Sequence, residues 1–260
     1  MQTTTSADGT EIAFEQVGDG PPVVIVGGAF STAADGAALA AALADRGLRA
    51  ITMDRRARGS SGDKRGSTPE DEADDLAAVI QAVGGEAVVL GHSSGAVLAL
   101  YAASRGVPIR ALFLSEPPVR FGDDERGPVL ADRLQQLVDA GQSEDAVLTF
   151  QLEGVGLPRD MVESIRQSDM FPGLVRLAQS TVYDARLTAQ VSTPSPEMLS
   201  VSQPVTILRG EQTFPLLVAA ADRLAERMDA AELVIVPESV MHRVDPVATA
   251  RIVGERVVRG

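Results

Sequence analysis

Ala87-Val88-Val89-Leu90-Gly91-His92-Ser93-Ser94-Gly95-Ala96-Val97-Leu98-Ala99-Leu100-Tyr101 changes its pattern in the middle. The first four residues are a continuous apolar run, as in a strand buried on both faces. The last six are rich in alanine and leucine and favour helix. Between them stands Gly-x-Ser-x-Gly, so the chain must turn tightly from strand into helix. Such a turn strains the backbone at Ser93, while Gly91 and Gly95 let neighbouring backbone pass close by. The Ser93 hydroxyl is then expected at the carboxyl end of a sheet, with a helix N-terminus aimed at the same point.

Outward from this stretch, strands and helices alternate. Residues 2–17 read as a hairpin turning at Ala7-Asp8-Gly9-Thr10. Short apolar runs at 23–26, 111–114, 205–208 and 233–236, together with Arg49 to Met53, read as further strands. Helices are expected from Thr32 to Arg46, Thr68 to about Val83, Leu216 to Met228 and about Asp245 to Val258. From 119 to 201 the alternation stops. The pattern there is helical throughout, with breaks at Gly141, Gly154–Pro158, Phe171-Pro172-Gly173 and Pro194–Pro196. The expected fold class is α/β: a mostly parallel sheet flanked by helices, made of 1–118 and 202–260, with a helical cap over 119–201 inserted after the sixth strand.

Composition limits the chemistry. With 45 % apolar residues the 260-residue chain can bury a sizeable core, but aromatics are few and tryptophan is absent. A net charge of −13 argues against nucleic acid and anionic membrane as partners. The absence of cysteine excludes disulfides, thiolate metal sites and a cysteine nucleophile. The first residues carry neither a basic nor an apolar segment, and no apolar stretch is long enough to span a bilayer, so a cytoplasmic location is expected. Lys64 is the sole lysine and lies in a polar loop, a poor Schiff-base candidate.

A serine hydroxyl needs a base at neutral pH. The chain holds two histidines. His92, inside the turn, is expected to face beneath it in a structural role. His242 lies between the last strand and the last helix, on the sheet edge where Ser93 emerges, and is the candidate base.

The order of these features resembles the α/β-hydrolase superfamily over nearly the whole length. It looks more like small actinobacterial hydrolases with a D-R-R-G-R-G loop, an E-P-P after the sixth strand and a histidine before D-P. Those segments read here Asp54–Gly59, with Ala57 in place of a glycine, Glu116-Pro117-Pro118, and His242 with Asp245-Pro246. The resemblance implies a Ser93–His242 pair completed by a carboxylate. That acid usually lies after the seventh strand, where Thr213 stands in this chain. Threonine carries no charge to stabilise an imidazolium. Glu116 is the best replacement, with Glu211 and Asp245 as alternatives.

The resemblance further implies an oxyanion hole from the backbone N–H groups of Ala29 and Ser94. Phe30 is read as lining the substrate pocket or else as core. Tyr183 is read as a substrate-facing residue, and Met161, Met170 and Phe171 as cap residues able to face the substrate or pack. Arg55, Arg56 and Arg58 are read as pinned by carboxylates such as Asp54 and Asp63 of their own loop, with anion binding as the alternative.

The expected activity is a serine hydrolase acting on an ester, thioester or lactone, with no metal and no cofactor. The alternatives are a cofactor-free lyase, cyclase or perhydrolase on the same fold, and a non-catalytic ligand-binding protein. The expected partner is a small-molecule substrate, with a homodimer left open.

Overall fold

A computed structural model describes residues 1–122 and 129–257. The core elements are β1 (Gln2–Thr5), β2 (Glu11–Val17), β3 (Pro22–Val26), α1 (Ala37–Ala44), β4 (Arg49–Met53), α2 (Pro69–Ala82), β5 (Ala87–His92), α3 (Ser94–Ser104) and β6 (Ile109–Ser115). An insertion follows: α4 (Val129–Asp139), α5 (Ser143–Thr149), α6 (Arg159–Arg166), α7 (Phe171–Val175), α8 (Ala178–Val191) and α9 (Pro196–Leu199). The core then closes with β7 (Val205–Gln212), α10 (Pro215–Arg227), β8 (Ala231–Val240) and α11 (Pro246–Val257). Residues 123–128 of the expected helical stretch, and Val258 of the expected last helix, lie outside the described residues.

The eight strands form one sheet in the order β1-β2-β4-β3-β5-β6-β7-β8. The β1–β2 and β2–β4 pairs are antiparallel and all others parallel. This is the expected α/β-hydrolase arrangement, with β5 near the centre. The apolar runs of β3 and β5 supply residues to both faces. Val24, Val26 and Val89 join the layer that includes α2 and α3, whereas Val23, Ile25, Val88 and Leu90 join the layer under α1 and α11. A third apolar cluster lies within the insertion, around Leu134, Val147, Phe150 and Val182.

Several local expectations differ from the structure. The segment after Thr32 begins as a 3₁₀ turn, Ala33–Gly36, before α1, because Asp35 folds back onto the backbone N–H and hydroxyl of Thr32. Pro172 does not interrupt a helix but sits in the first turn of α7, where its missing N–H costs nothing. Strands β7 and β8 run past their apolar cores because their ladder continues beyond an irregularity at Gly210–Gln212. Among the described residues, no helix is long and apolar enough to cross a membrane.

Candidate active site

The turn after β5 has the strain its sequence requires. Ser93 is the N-cap of α3 with φ 54° and ψ −126°, outside the usual regions for a side-chain-bearing residue. The backbone of Gly95 passes so near β3 that a Cβ there would stand 2.3 Å from the Val26 carbonyl oxygen. Gly28 is likewise required, since a Cβ would lie 2.8 Å from that of Ser93.

Glu116 follows β6 with φ 47°, and Met241 and His242 follow β8 with φ 51° and 63°. These left-handed conformations turn two side chains toward each other across β7. Glu116 Oε2 lies 2.5 Å from His242 Nδ1. The carboxylate is otherwise satisfied: Oε1 accepts from the Gly210 N–H at 2.9 Å and Oε2 from Thr213 Oγ1 at 3.1 Å. Burial pushes the Glu116 carboxyl up, but hydrogen bonds from His242, Gly210 and Thr213 outweigh it and hold the group below the ordinary glutamate range. Because an ionised carboxylate only accepts, the hydrogen on His242 belongs on Nδ1 and the lone pair on Nε2.

The other candidate acids are placed elsewhere. Asp245 Oδ1 accepts from the Ala248 N–H at the start of α11, and Glu211 is exposed. Thr213, where the resemblance expects an acid, bonds the carboxylate that touches the histidine. Among the described residues no hydrogen bond joins the Ser93 hydroxyl to the His242 ring.

His92 is structurally satisfied, as expected, but is not removed from the site. Its Nδ1 lies 3.2 Å from Ser115 Oγ, and its ring meets that of His242 at a centroid distance of 4.6 Å. Burial, reinforced by His242, lowers its pKa from 6.5 to about 4. A histidine so shifted binds its proton more weakly folded than unfolded. Its stabilising contribution is therefore intact above pH 6.5 and lost as pH falls toward 4, at most roughly 3 kcal/mol. Thermal melts of His92→Asn should accordingly fall less steeply between pH 6.5 and 4.5 than those of the parent chain.

The two N–H groups read as an oxyanion hole flank this region. Ser94 opens α3, where its N–H has no partner one turn earlier. Ala29 follows Gly27-Gly28, and among the described residues no backbone bond takes its N–H. Phe30 has φ 60°, meets Phe150 edge-to-face at 5.6 Å, and lines a cavity of about 660 Å³ with Met170, Leu174 and Leu177. A second cavity of about 470 Å³ is bordered by His92 and His242. A third, of about 780 Å³, lies toward the opposite end of the sheet, among Arg110, Pro204 and Arg256, away from these residues. Tyr183 is buried in the core of the insertion, and its hydroxyl donates to Asp63 at 2.6 Å. Phe171 is buried in the same cluster, Met161 is half-buried, and Met170 is exposed at the first cavity.

The arginines are pinned, but by carboxylates from other elements rather than by their own loop. Arg55 forms a two-bond pair with Glu72, both bonds 2.9 Å, and Arg56 a two-bond pair with Asp75, both 2.7 Å. Glu72 and Asp75 are three residues apart and so share one buried face of α2. Asp184 of α8 takes Arg55 at 3.0 Å and Arg58 at 2.7 Å. Asp54 instead accepts the backbone N–H groups of Ala33 and Ser60. Ala57, in place of the family's glycine, adopts φ 60°, the region where glycine is unstrained.

A family model described as the alpha/beta hydrolase family matches residues 23–251. A solved alpha/beta hydrolase from Sphaerobacter thermophilus is 42 % identical, covers 98 % of this chain and 99 % of its own, and superimposes with a TM-score of 0.89. A thermophilic esterase from Thermogutta terrifontis is 23 % identical over 100 % of this chain and 97 % of that one, with a TM-score of 0.71. An enol-lactonase from Burkholderia xenovorans is 20 % identical over 99 % and 98 %, with a TM-score of 0.69. These last two share the fold. Comparison with curated proteins gave no match. With the model spanning β3 to α11 and a close structural relative matching end to end, the chain belongs to the alpha/beta hydrolase family.

Proposed function

We propose that the protein is a serine hydrolase that cleaves an ester, thioester or lactone through an acyl-enzyme. The observation that carries this reading is the 2.5 Å Glu116–His242 contact at the sheet edge where Ser93 stands on its strained turn. In the proposed reaction His242 Nε2 takes the proton of the Ser93 hydroxyl as its oxygen attacks the carbonyl carbon. The C=O π electrons move onto oxygen, and the N–H groups of Ala29 and Ser94 stabilise the resulting oxyanion. His242 then protonates the departing alcohol, thiol or ring oxygen. Water, deprotonated by the same nitrogen, releases the acid and restores Ser93. Glu116 keeps the hydrogen on Nδ1 and stabilises the imidazolium.

The missing Ser93–His242 hydrogen bond fits a free enzyme, in which such bonds are often long and close when substrate arrives. Cavities of several hundred cubic ångströms suit a small-molecule substrate. The helical insertion acts as the cap over it, and a cytoplasmic location without a resident cofactor belongs to the same reading.

A fluorophosphonate probe tests it. We expect one covalent adduct, mapped to Ser93 by peptide mass spectrometry, together with turnover of p-nitrophenyl esters or simple lactones. No adduct would overturn nucleophilic catalysis. An adduct without turnover across esters, thioesters and lactones would replace hydrolysis by lyase or cyclase chemistry.

A further inference from the structure

Asp184 lies within α8, yet its side chain is only 1 % exposed and leaves the insertion for the sheet edge. Its Oδ1 accepts from the Ser94 hydroxyl at 2.8 Å and from Arg55 Nη1 at 3.0 Å. Its Oδ2 accepts from Arg58 Nη2 at 2.7 Å. Both guanidinium groups then continue to backbone carbonyls. Arg55 reaches Gly27 O at 3.4 Å, and Arg58 donates to Gly28 O and, at 3.3 Å, to Ser31 O. Two cations, Arg55 and Arg58, are balanced by two anions, Glu72 and Asp184, each at most 3 % exposed. A buried, charge-balanced cluster of this kind tolerates little displacement of any member.

The carbonyl of Gly28 and the N–H of Ala29 belong to one peptide unit. In a planar trans peptide they point in opposite directions, and no cis peptide is present among the described residues. Whatever holds Gly28 O therefore sets the direction of the Ala29 N–H. Arg58 holds Gly28 O, and Asp184 holds Arg58. The same carboxylate fixes the side chain of Ser94, whose N–H is the second donor of the proposed oxyanion hole.

We propose that Asp184, acting through Arg58, is a positioning residue that aims the Ala29 N–H at the developing oxyanion, so that the helical insertion sets the rate of the chemical step as well as covering the site. This rests on the hydrolase reading above. It differs from a plain anchoring role, for which α8 has another contact: Arg186 Nη1 donates to Ser67 O, away from the 27–31 loop.

The test compares Asp184→Asn with Arg186→Ala, using ester kinetics and amide deuterium exchange in residues 27–31. Asp184→Asn should lower kcat roughly 10- to 100-fold, short of the loss for deleting an oxyanion donor, with KM changed less than about threefold. Exchange in 27–31 should quicken. Arg186→Ala should leave both kcat and that exchange near the parent values. Arg58→Lys serves as a second variant should Asp184→Asn fail to fold. It keeps the charge but loses the fork that spans Gly28 O and Asp184, and the same split is expected. A kcat loss equal to that of Arg186→Ala, or a rise in KM at constant kcat, would overturn the proposal. If the parent chain proves inert toward esters, thioesters and lactones alike, the hydrolase reading fails, and exchange alone decides. Unchanged protection of 27–31 in Asp184→Asn or Arg58→Lys would overturn the positioning role, and selective loss would support it.

Discussion

Glu116→Gln should lower kcat by about 10⁴-fold, the scale seen when a triad carboxylate becomes its amide and the imidazole takes the wrong tautomer. Glutamine preserves shape, and its carbonyl oxygen can still accept from Gly210 N–H, so melting should shift little. The second position is where the change bites. Oε2 accepts from both His242 Nδ1 and Thr213 Oγ1, and an amide NH₂ there offers hydrogens to both. His242 can accept one only by moving its own hydrogen to Nε2, the nitrogen that must take the Ser93 proton. Thr213 supplies a second arm. Its hydroxyl already lies 3.1 Å from Oε2, so an aspartate at 213 carries a carboxylate to the edge of the same site. Adding Thr213→Asp to Glu116→Gln should recover roughly tenfold or more of the lost kcat. Activity of Glu116→Gln within tenfold of the parent enzyme would show that Glu116 does not orient the base.

Much of this was legible in the chain because it rests on local pattern. Apolar runs placed most of the parallel strands, and Gly91 and Gly95 marked a turn where backbone must pass close to backbone. Glu116 could be singled out because a glutamate ending a strand next to β5 has few other positions to occupy. What was hidden depends on which polar groups meet across the fold. Glu72 and Asp75 look like the acidic first turns of a surface helix, and Asp184 like a solvated residue in a helical stretch. Nothing in their spacing tells that arginines more than a hundred positions from Asp184 will reach it. The left-handed conformations at Glu116, Met241 and His242 were equally silent, because these residues do not announce positive φ as glycine does. The sequence puts His92 beneath the turn in a structural role but does not show that the bend turning His242 toward Glu116 also lays its ring against His92.

The buried pair Arg56–Asp75 leads to the largest stability effect expected. Arg56 is fully buried and Asp75 is 1 % exposed, with two 2.7 Å bonds between them. Asp75→Ala leaves a guanidinium deep in the protein with Asp8 at 3.2 Å, the Ser67 hydroxyl and the Asp71 carbonyl as its remaining acceptors. Asp8 is the only charge among them and lies toward the surface, so it neutralises the cation less effectively. Removing one partner of such a pair typically costs about 3–5 kcal/mol. In a chain of this size that corresponds to a melting point lowered by roughly 10 °C, measurable by calorimetry. The double replacement Arg56→Met with Asp75→Leu should be markedly more stable than Asp75→Ala, because no buried charge is left unpaired. If the single variant melts with the parent, Asp8 and Ser67 alone hold Arg56, and the α2 carboxylate is dispensable. If the double variant is no better than the single, the loss comes from the bonds Arg56 makes to Ser67 and Asp71, which tie the loop to the start of α2.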